Sequence, residues 1–189
     1  PSNPGAAMLT LADHILDIAE NSVRAGAKLI SIFIEEDSAN DLLTLEISDD
    51  GHGMAKDVLQ KVLDPFYTTK TVRRVGLGLP LLKDAAQRAG GTFQLKSEEN
   101  CGTTVKATFG LRHLDRQPLG AIINTIIILI ISNSDIDFFY KHRHNDRQFE
   151  MDTRKIRKEI EDIPINHPEV IKYIRRAMEE GLQEIEPEA

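Results

Sequence analysis

The chain has 189 residues, a formal net charge of −7 and a hydrophobic fraction of 41%, which is typical of a globular protein and excludes a disordered or collagen-like one. Because nucleic acids favour basic surfaces, a pI near 5.4 predicts no nucleic-acid partner. The single cysteine cannot form an intrachain disulfide, and with no signal-peptide pattern at the N-terminus this predicts a cytoplasmic protein.

The first part of the sequence predicts a helix followed by a β-hairpin. Residues 1–7 have no periodicity and precede Met8, so we interpret them as a remnant of cloning. From Leu9 to Ala27 the apolar residues recur at steps of three and four, which predicts an amphipathic helix. Two alternating apolar runs, at 29–34 and 42–48, predict the strands of the hairpin.

The middle of the sequence predicts two helices and two further strands. Residues 56–63 form a short helical pattern, which ends before a polar segment that we interpret as a mobile loop. Residues 79–88 predict a second helix, and two alternating runs at 92–96 and 104–109 predict strands. Together with the preceding elements, this pattern predicts a layer of helices against a mostly antiparallel sheet.

The sequence changes character after Pro118. The apolar run at 121–131 is shorter than the about 20 residues that span a bilayer, so we predict a buried helix or strand and no membrane partner. Residues 136–140 and 148–151 predict a hairpin, and two charged helices are expected from Asp152 and after Pro168. These last segments either pack onto the preceding domain or form a surface for a protein partner, including a second copy of the chain.

Glycines accompany acidic or helical segments at two places in the sequence. Asp49 is followed by Gly51 and Gly53, and such spacing places a carboxylate beside a tight, exposed turn. Gly76 and Gly78 open a helix, where free backbone N–H groups favour phosphate. Taken alone, each cluster is equally consistent with an ordinary turn.

One face of the first helix carries two oxygen-bearing side chains. Asp17 and Asn21 are four residues apart, so their side chains lie on the same side of the helix. A carboxylate and an amide in this arrangement are suitable for holding a water and a magnesium ion, which prefers oxygen ligands.

Taken together and in this order, these segments resemble the GHKL superfamily of ATP-binding domains, which includes gyrase, histidine kinases, a heat-shock chaperone ATPase and a mismatch-repair ATPase. The segments that carry the resemblance are residues 15–27, 48–54, 65–70, 76–79 and 102–104. The resemblance implies the Bergerat fold, an α/β two-layer sandwich with helices on one face of a mixed, mostly antiparallel sheet. We therefore predict an ATP-binding domain at 8–112 and a C-terminal α+β extension at 113–189.

The resemblance also implies roles for residues on the adenine side of a nucleotide site. Asp49 would accept a hydrogen bond from the adenine amino group, and Gly51 and Gly53 would give the base room. Thr103 would support the adenine, either directly or through a water.

On the phosphate side, the resemblance implies that Asn21 coordinates a Mg²⁺ ion that bridges the phosphates of ATP. Gly76 and Gly78 would meet the phosphates at the helix start, and Lys70 would reach a terminal phosphate. ATP and Mg²⁺ are therefore the expected cofactors.

Asp17 is a departure from the family pattern. ATP-hydrolysing members carry a glutamate four residues before the asparagine, whereas histidine kinases tend to have an amide there. Asp17 is one methylene shorter than glutamate, so it is either a general base, a ligand of a magnesium-bound water or a solvated carboxylate. Both hydrolysis and phosphoryl transfer remain open.

Too few residues precede the first of these segments to form the helix pair that carries the phosphoacceptor histidine of histidine kinases. We therefore expect a stand-alone protein kinase in signal transduction, resembling histidine kinases or anti-sigma serine kinases, or a weak ATPase. The alternative is a non-catalytic ATP-sensing module. His142 and His144, at metal-compatible spacing, are interpreted as a solvated hairpin tip, since no further ligand pattern accompanies them.

Overall fold

In the computed structural model the described residues are 9–63 and 78–189. In chain order the elements are α1 (Leu11–Arg24), β1 (Leu29–Asp37), β2 (Leu42–Asp49), α2 (Lys56–Lys61), α3 (Gly78–Arg88), β3 (Phe93–Glu98), β4 (Gly102–Gly110), α4 (Ile122–Ser132), β5 (Asp137–His144), β6 (Arg147–Asp152), α5 (Thr153–Ile160) and α6 (Pro168–Ile185). The predicted helices and strands that fall within this part of the chain are all present. The expected cloning remnant and mobile loop lie outside the described residues.

Helix α1 begins at a capping box. The Thr10 hydroxyl accepts a hydrogen bond from the Asp13 amide, and the Asp13 carboxylate accepts one from the Thr10 amide at 2.7 Å. These two bonds satisfy N–H groups that have no partner within the helix. Ile15 and Ile18 face the core, and the helix ends before Gly26, which has a φ of +74°.

The strands form one six-stranded sheet in the order β3-β4-β2-β1-β5-β6. β1 pairs antiparallel with β2 and parallel with β5, and the other neighbouring strands are antiparallel. The prediction of a mixed, mostly antiparallel sheet is therefore confirmed. The predicted second hairpin, β5 and β6, extends the same sheet beyond β1.

The two faces of the sheet differ in polarity. On one face the alternating residues of the central strands, such as Ile32 and Tyr140, are fully buried under helices α1, α3 and α6. On the other face charged side chains pair between strands, including Glu46 with Lys106 at 3.7 Å. One covered face and one polar face make this an α/β two-layer sandwich, as predicted.

The apolar run at 121–131 forms helix α4, which packs against α1 and α6. Of the two structures that the pattern allowed, the helix is the one that forms. Ile126 and Ile130 are buried, whereas Ile128 remains half exposed. Among the helices of residues 9–63 and 78–189, none has the length and apolar character needed to cross a membrane.

The prediction that His142 and His144 form a solvated hairpin tip is wrong. Both lie on the covered face of β5, and their exposures are 0% and 5%. The turn itself is Asn145-Asp146, one step beyond them. The alternation of β5 places both histidines on the same face as Phe138 and Tyr140, where His142 contacts Glu36 and His144 contacts the end of α6.

Candidate functional site

A cavity of about 360 Å³ opens between α1, the ends of β2 and β4, and the start of α3. This volume is within the range of small-molecule sites. Apolar side chains supply most of its wall, with a few polar groups among them. The lining residues are Ile18, Asn21, Ser22, Arg24, Ala25, Ile47, Asp49, His52, Gly53, Met54, Leu79, Thr103 and Val105.

Asp49, the last residue of β2, places a carboxylate in this cavity. Its Oδ2 accepts a hydrogen bond from the hydroxyl of Ser22 at 2.6 Å, and its Oδ1 accepts one from the amide of Gly51 at 2.9 Å. Two donors from different elements therefore hold the carboxylate in one orientation. A fixed carboxylate beside apolar walls is suited to bind a ligand N–H donor.

The next residue, Asp50, has a structural role. Its Oδ1 accepts hydrogen bonds from the amides of Lys28 and Leu29 at 2.7 and 2.9 Å. Burial raises the pKa of Asp50, but the bonds from Leu29 and Lys28 outweigh it and leave the pKa below its ordinary value. Asp50 thus joins the loop after β2 to the start of β1.

The two glycines after Asp49 allow close backbone packing. Gly53 has a φ of +64°, and a Cβ there would lie 2.0 Å from the carbonyl oxygen of Glu98. A Cβ on Gly51 would lie 2.9 Å from the Cβ of Ala25. These close contacts show that the path of the loop requires glycine at both positions. The further role of the two glycines, to leave room for an adenine base, stays a prediction.

Thr103 lies across from Asp49 in the pairing of β2 and β4. The hydroxyl of Ser97 donates to the carbonyl of Gly102 at 3.0 Å and accepts from the amide of Met54 at 2.8 Å. The Thr103 hydroxyl lies 2.9 Å from the Ser97 hydroxyl, within hydrogen-bond distance. Thr103 therefore lines the cavity beside Asp49, with its hydroxyl held by Ser97.

Asn21 and Asp17 lie on the same side of α1, as predicted, and the start of α3 comes close to them. A Cβ added at Gly78 would lie only 3.1 Å from the Cβ of Asp17. Asn21 Oδ1 accepts a hydrogen bond from the guanidinium of Arg24, which also lines the cavity. Asn21 therefore lines the cavity, and the exposed Asp17 one turn earlier lies beside the start of α3.

This donor set fits a magnesium ion. Mg²⁺ is commonly held by one or two protein oxygens, with phosphate oxygens and waters completing its octahedron. Within residues 9–63 and 78–189, His, Cys, Asp and Glu side chains form no group of three or more that could hold a metal by themselves. Asn21 and Asp17 would therefore hold such an ion only together with a ligand.

Two of the predicted site residues, Lys70 and Gly76, lie outside the described residues. The other seven, Asp17, Asn21, Asp49, Gly51, Gly53, Gly78 and Thr103, lie in or beside the cavity. The sequence interpretation missed Ser22, Ser97 and Arg24. Ser22 carried a usable signal, since it is a polar residue four positions after Ile18 on the apolar side of α1. Ser97 and Arg24 had no comparable signal.

The family model for histidine kinase-, DNA gyrase B- and HSP90-like ATPases matches residues 9–113. The chain belongs to this family. The match runs from α1 to just beyond β4 and so includes every element that borders the cavity.

Curated relatives with the same family segment include sensor kinases. A probable C4-dicarboxylate sensor kinase of Halalkalibacterium halodurans is 34% identical over 94 residues, which are 50% of this chain and 17% of that protein. The sensor histidine kinase ZraS of Escherichia coli K12 is 29% identical over 112 residues, 58% of this chain and 23% of ZraS. The chain thus spans less than a quarter of the length of these relatives.

Among solved structures, the Aquifex aeolicus MutL ATPase domain complexed with ADP is similar, with a TM-score of 0.46 and 13% identity. The similarity covers 79% of this chain and 66% of that one.

Replacing Ser22 by alanine is expected to weaken nucleotide binding by about 3- to 10-fold, because Asp49 loses one of its two orienting donors. Ser48→Ala is the matched control, since Ser48 precedes Asp49 in β2 and is absent from the cavity lining. Calorimetric titration with ATP measures both. Equal affinities for the two variants would contradict the role of Ser22.

Proposed function

We propose that the chain binds ATP with Mg²⁺ in this cavity and acts as a protein kinase or a weak ATPase. The observation that carries the proposal is the Asp49 carboxylate, held by Ser22 and Gly51 in a largely apolar cavity. Membership of an ATPase family supports the same conclusion.

On the adenine side, Asp49 would accept the exocyclic amino group of the base. Thr103, opposite Asp49, would support the base directly or through a water. The apolar wall from Ile47, Val105 and Leu79 would cover the faces of the ring. A carboxylate accepts a hydrogen bond from the amino group of adenine, and it disfavours a base with a carbonyl at that position.

On the phosphate side, Asn21 would coordinate the magnesium ion after its amide oxygen leaves Arg24. The released guanidinium would then be free to face the phosphates. Gly78 at the start of α3 would present backbone N–H groups there. We also propose Gly76 and Lys70 as phosphate contacts, on the basis of the sequence pattern alone.

The magnesium ion, when bound, would neutralise phosphate charge and so favour attack on the terminal phosphorus. Asp17 is exposed beside the start of α3, and it would orient or deprotonate an attacking water. The sensor kinases among the relatives support the kinase role, with a protein partner as phosphoacceptor. An ATP-sensing module without turnover is the alternative.

We also retain several predictions about the whole protein. These are a protein partner in signal transduction, a cytoplasmic location, a homodimer, and a boundary at residue 112 between the ATP-binding domain and the C-terminal extension.

The first test is a calorimetric titration of the full chain with ATP, with and without Mg²⁺. We expect saturable binding that Mg²⁺ strengthens in the wild type. Asn21→Ala is expected to abolish most of this strengthening, because it removes the amide ligand. Ile128→Ala, at a half-exposed position of α4 outside the cavity lining, is the control. Absence of ATP binding by the wild type would refute the proposal.

Turnover separates the proposed activities, and Asp17→Asn is the variant to use. Phosphate release that falls by about 100-fold in this variant, with ATP affinity retained, would establish hydrolysis with Asp17 as general base. Labelling of a partner protein from γ-labelled ATP that survives Asp17→Asn would establish the kinase. Tight binding with neither reaction would establish the sensor.

A further inference from the structure

At the end of the sheet away from Asp49, a carboxylate is fully buried on β1. Glu36 is 0% exposed, and its Oε1 accepts a hydrogen bond from Nε2 of His142 at 2.6 Å. The other ring nitrogen of His142 lies 3.0 Å from the Tyr140 hydroxyl. Burial, with a smaller contribution from Glu36, raises the pKa of Tyr140, so this hydroxyl keeps its proton.

The second oxygen of Glu36 binds backbone from the last residues of the sequence. Its Oε2 accepts hydrogen bonds from the amides of Glu188 and Ala189 at 2.6 and 3.0 Å. The carboxylate thus receives three N–H donors in all. Burial of a charge is costly unless such partners are present, so the two amides are part of what allows Glu36 to be buried.

The side chain of Glu188 is recognised separately. Its Oε2 lies 3.0 Å from Nη2 of Arg112, and its Oε1 accepts from the Ser38 hydroxyl at 2.8 Å. The hydrogen bond from Ser38, and then Arg112 and His144, lower the pKa of Glu188 despite an opposing effect of burial. His144 also donates from Nδ1 to the carbonyl of Ile185 at 2.9 Å.

We propose that this end of the sheet is a recognition site for an extended acidic segment, and that residues 186–189 occupy it as a releasable strap. Glu36 binds two consecutive backbone amides, those of Glu188 and Ala189. Arg112, Ser38 and His144 bind the side chain of Glu188. The strap joins the end of α6 to β1, β5 and the segment after β4. This proposal is independent of nucleotide binding.

The composition of the strap explains why it is releasable. Glu186 and Glu188 are exposed, and Pro187 and Ala189 are only partly buried, so little apolar area holds the segment. The side-chain contacts of Glu186 and Glu188 lie near the surface and open at a lower free-energy cost than core strands, and on release water would replace the two amide donors of Glu36. Release would break the contacts of Glu188 with Ser38 and Arg112 and of Ala189 with Glu36.

The test is amide hydrogen exchange of the full chain, followed by NMR. In the wild type we expect the amides of Glu188 and Ala189 to exchange at least about 10-fold more slowly than in an unstructured peptide. Glu36→Gln should weaken this protection, since the neutral amide oxygen is a poorer acceptor for the two N–H groups than the carboxylate. Glu35→Gln is the matched control, because Glu35 points to the opposite face of β1 and pairs with Arg143.

Two surface variants keep the test decisive if Glu36→Gln does not fold. Glu188→Ala and Arg112→Ala should each accelerate exchange of the Ala189 amide, whereas Glu186→Gln should leave it unchanged, since Glu186 pairs instead with Arg147. The amide of Ile32 in central β1 should stay protected in all variants, which separates strap opening from unfolding. Unprotected strap amides in the wild type, or equal protection in Glu188→Ala, Arg112→Ala and Glu186→Gln, would overturn the proposal.

Discussion

Asp49→Asn is expected to weaken ATP binding by about 10- to 100-fold, which corresponds to the about 1.5–3 kcal/mol of a hydrogen bond to a charged group. The asparagine keeps the shape of the side chain and an oxygen for the Gly51 amide. It replaces the second acceptor oxygen by an NH₂ donor, which repels both the Ser22 hydroxyl proton and the adenine amino group. Calorimetric titration with ATP measures the loss.

Asp50→Asn is the matched control for this prediction. It makes the same change of charge one residue away, and its remaining oxygen still accepts from the amides of Lys28 and Leu29. We expect ATP affinity within about 2-fold of the wild type, since this side chain is absent from the cavity lining.

A purine ribonucleoside triphosphate that lacks the 6-amino group sharpens the comparison. If Asp49 binds the 6-amino group, the analogue should bind the wild type and Asp49→Asn with similar affinity. An equal loss for ATP and the analogue would show that Asp49 serves only the shape of the cavity.

Gly102→Ala is expected to destabilise the fold by about 3 to 5 kcal/mol. Gly102 begins β4 with a φ of +97°, and a Cβ there would lie 1.9 Å from the carbonyl oxygen of Asp49. The contacted atom belongs to the backbone of a paired strand, so relief requires β2 and β4 to separate beside the cavity. Urea unfolding followed by circular dichroism measures the change.

Gly26→Ala separates the loss of stability caused by a steric clash from the loss caused by a positive φ. Gly26 also has a positive φ, of +74°, but no atom lies within 4 Å of an added Cβ. Its substitution is expected to cost only about 1 to 2 kcal/mol, the strain of a left-handed alanine. Similar losses for both variants would mean that the Gly102 contact relaxes without cost.

Much of the site was predictable because its signals are local in sequence. Asp17 and Asn21 share a helix face by their spacing alone, and Asp49 with its glycines marks a turn after a strand. Ser97 was not predictable, because its importance comes from bonds to Met54 and Gly102, which belong to other segments. The orientation of Asp49 likewise depends on Ser22, which is distant in sequence.

The second hairpin shows the same limit. Its alternation predicted two strands correctly, but alternation does not specify a neighbour, and β5 pairs in parallel with β1 across a long separation in sequence. The burial of His142 follows from that pairing and from Glu36 beside it. The polar residues around His142 therefore predicted an exposed position, although the tertiary structure places this histidine in the core.

By itself, the sequence determined the elements, their periodicity and the family, because these follow from short-range spacing of apolar residues, glycines and acids. Only the tertiary structure decided which face of β5 is covered, how Asp49 is oriented and where residues 186–189 bind. The physical reason is that each of these depends on contacts between residues far apart in the chain, and their geometry exists only once the sheet has assembled.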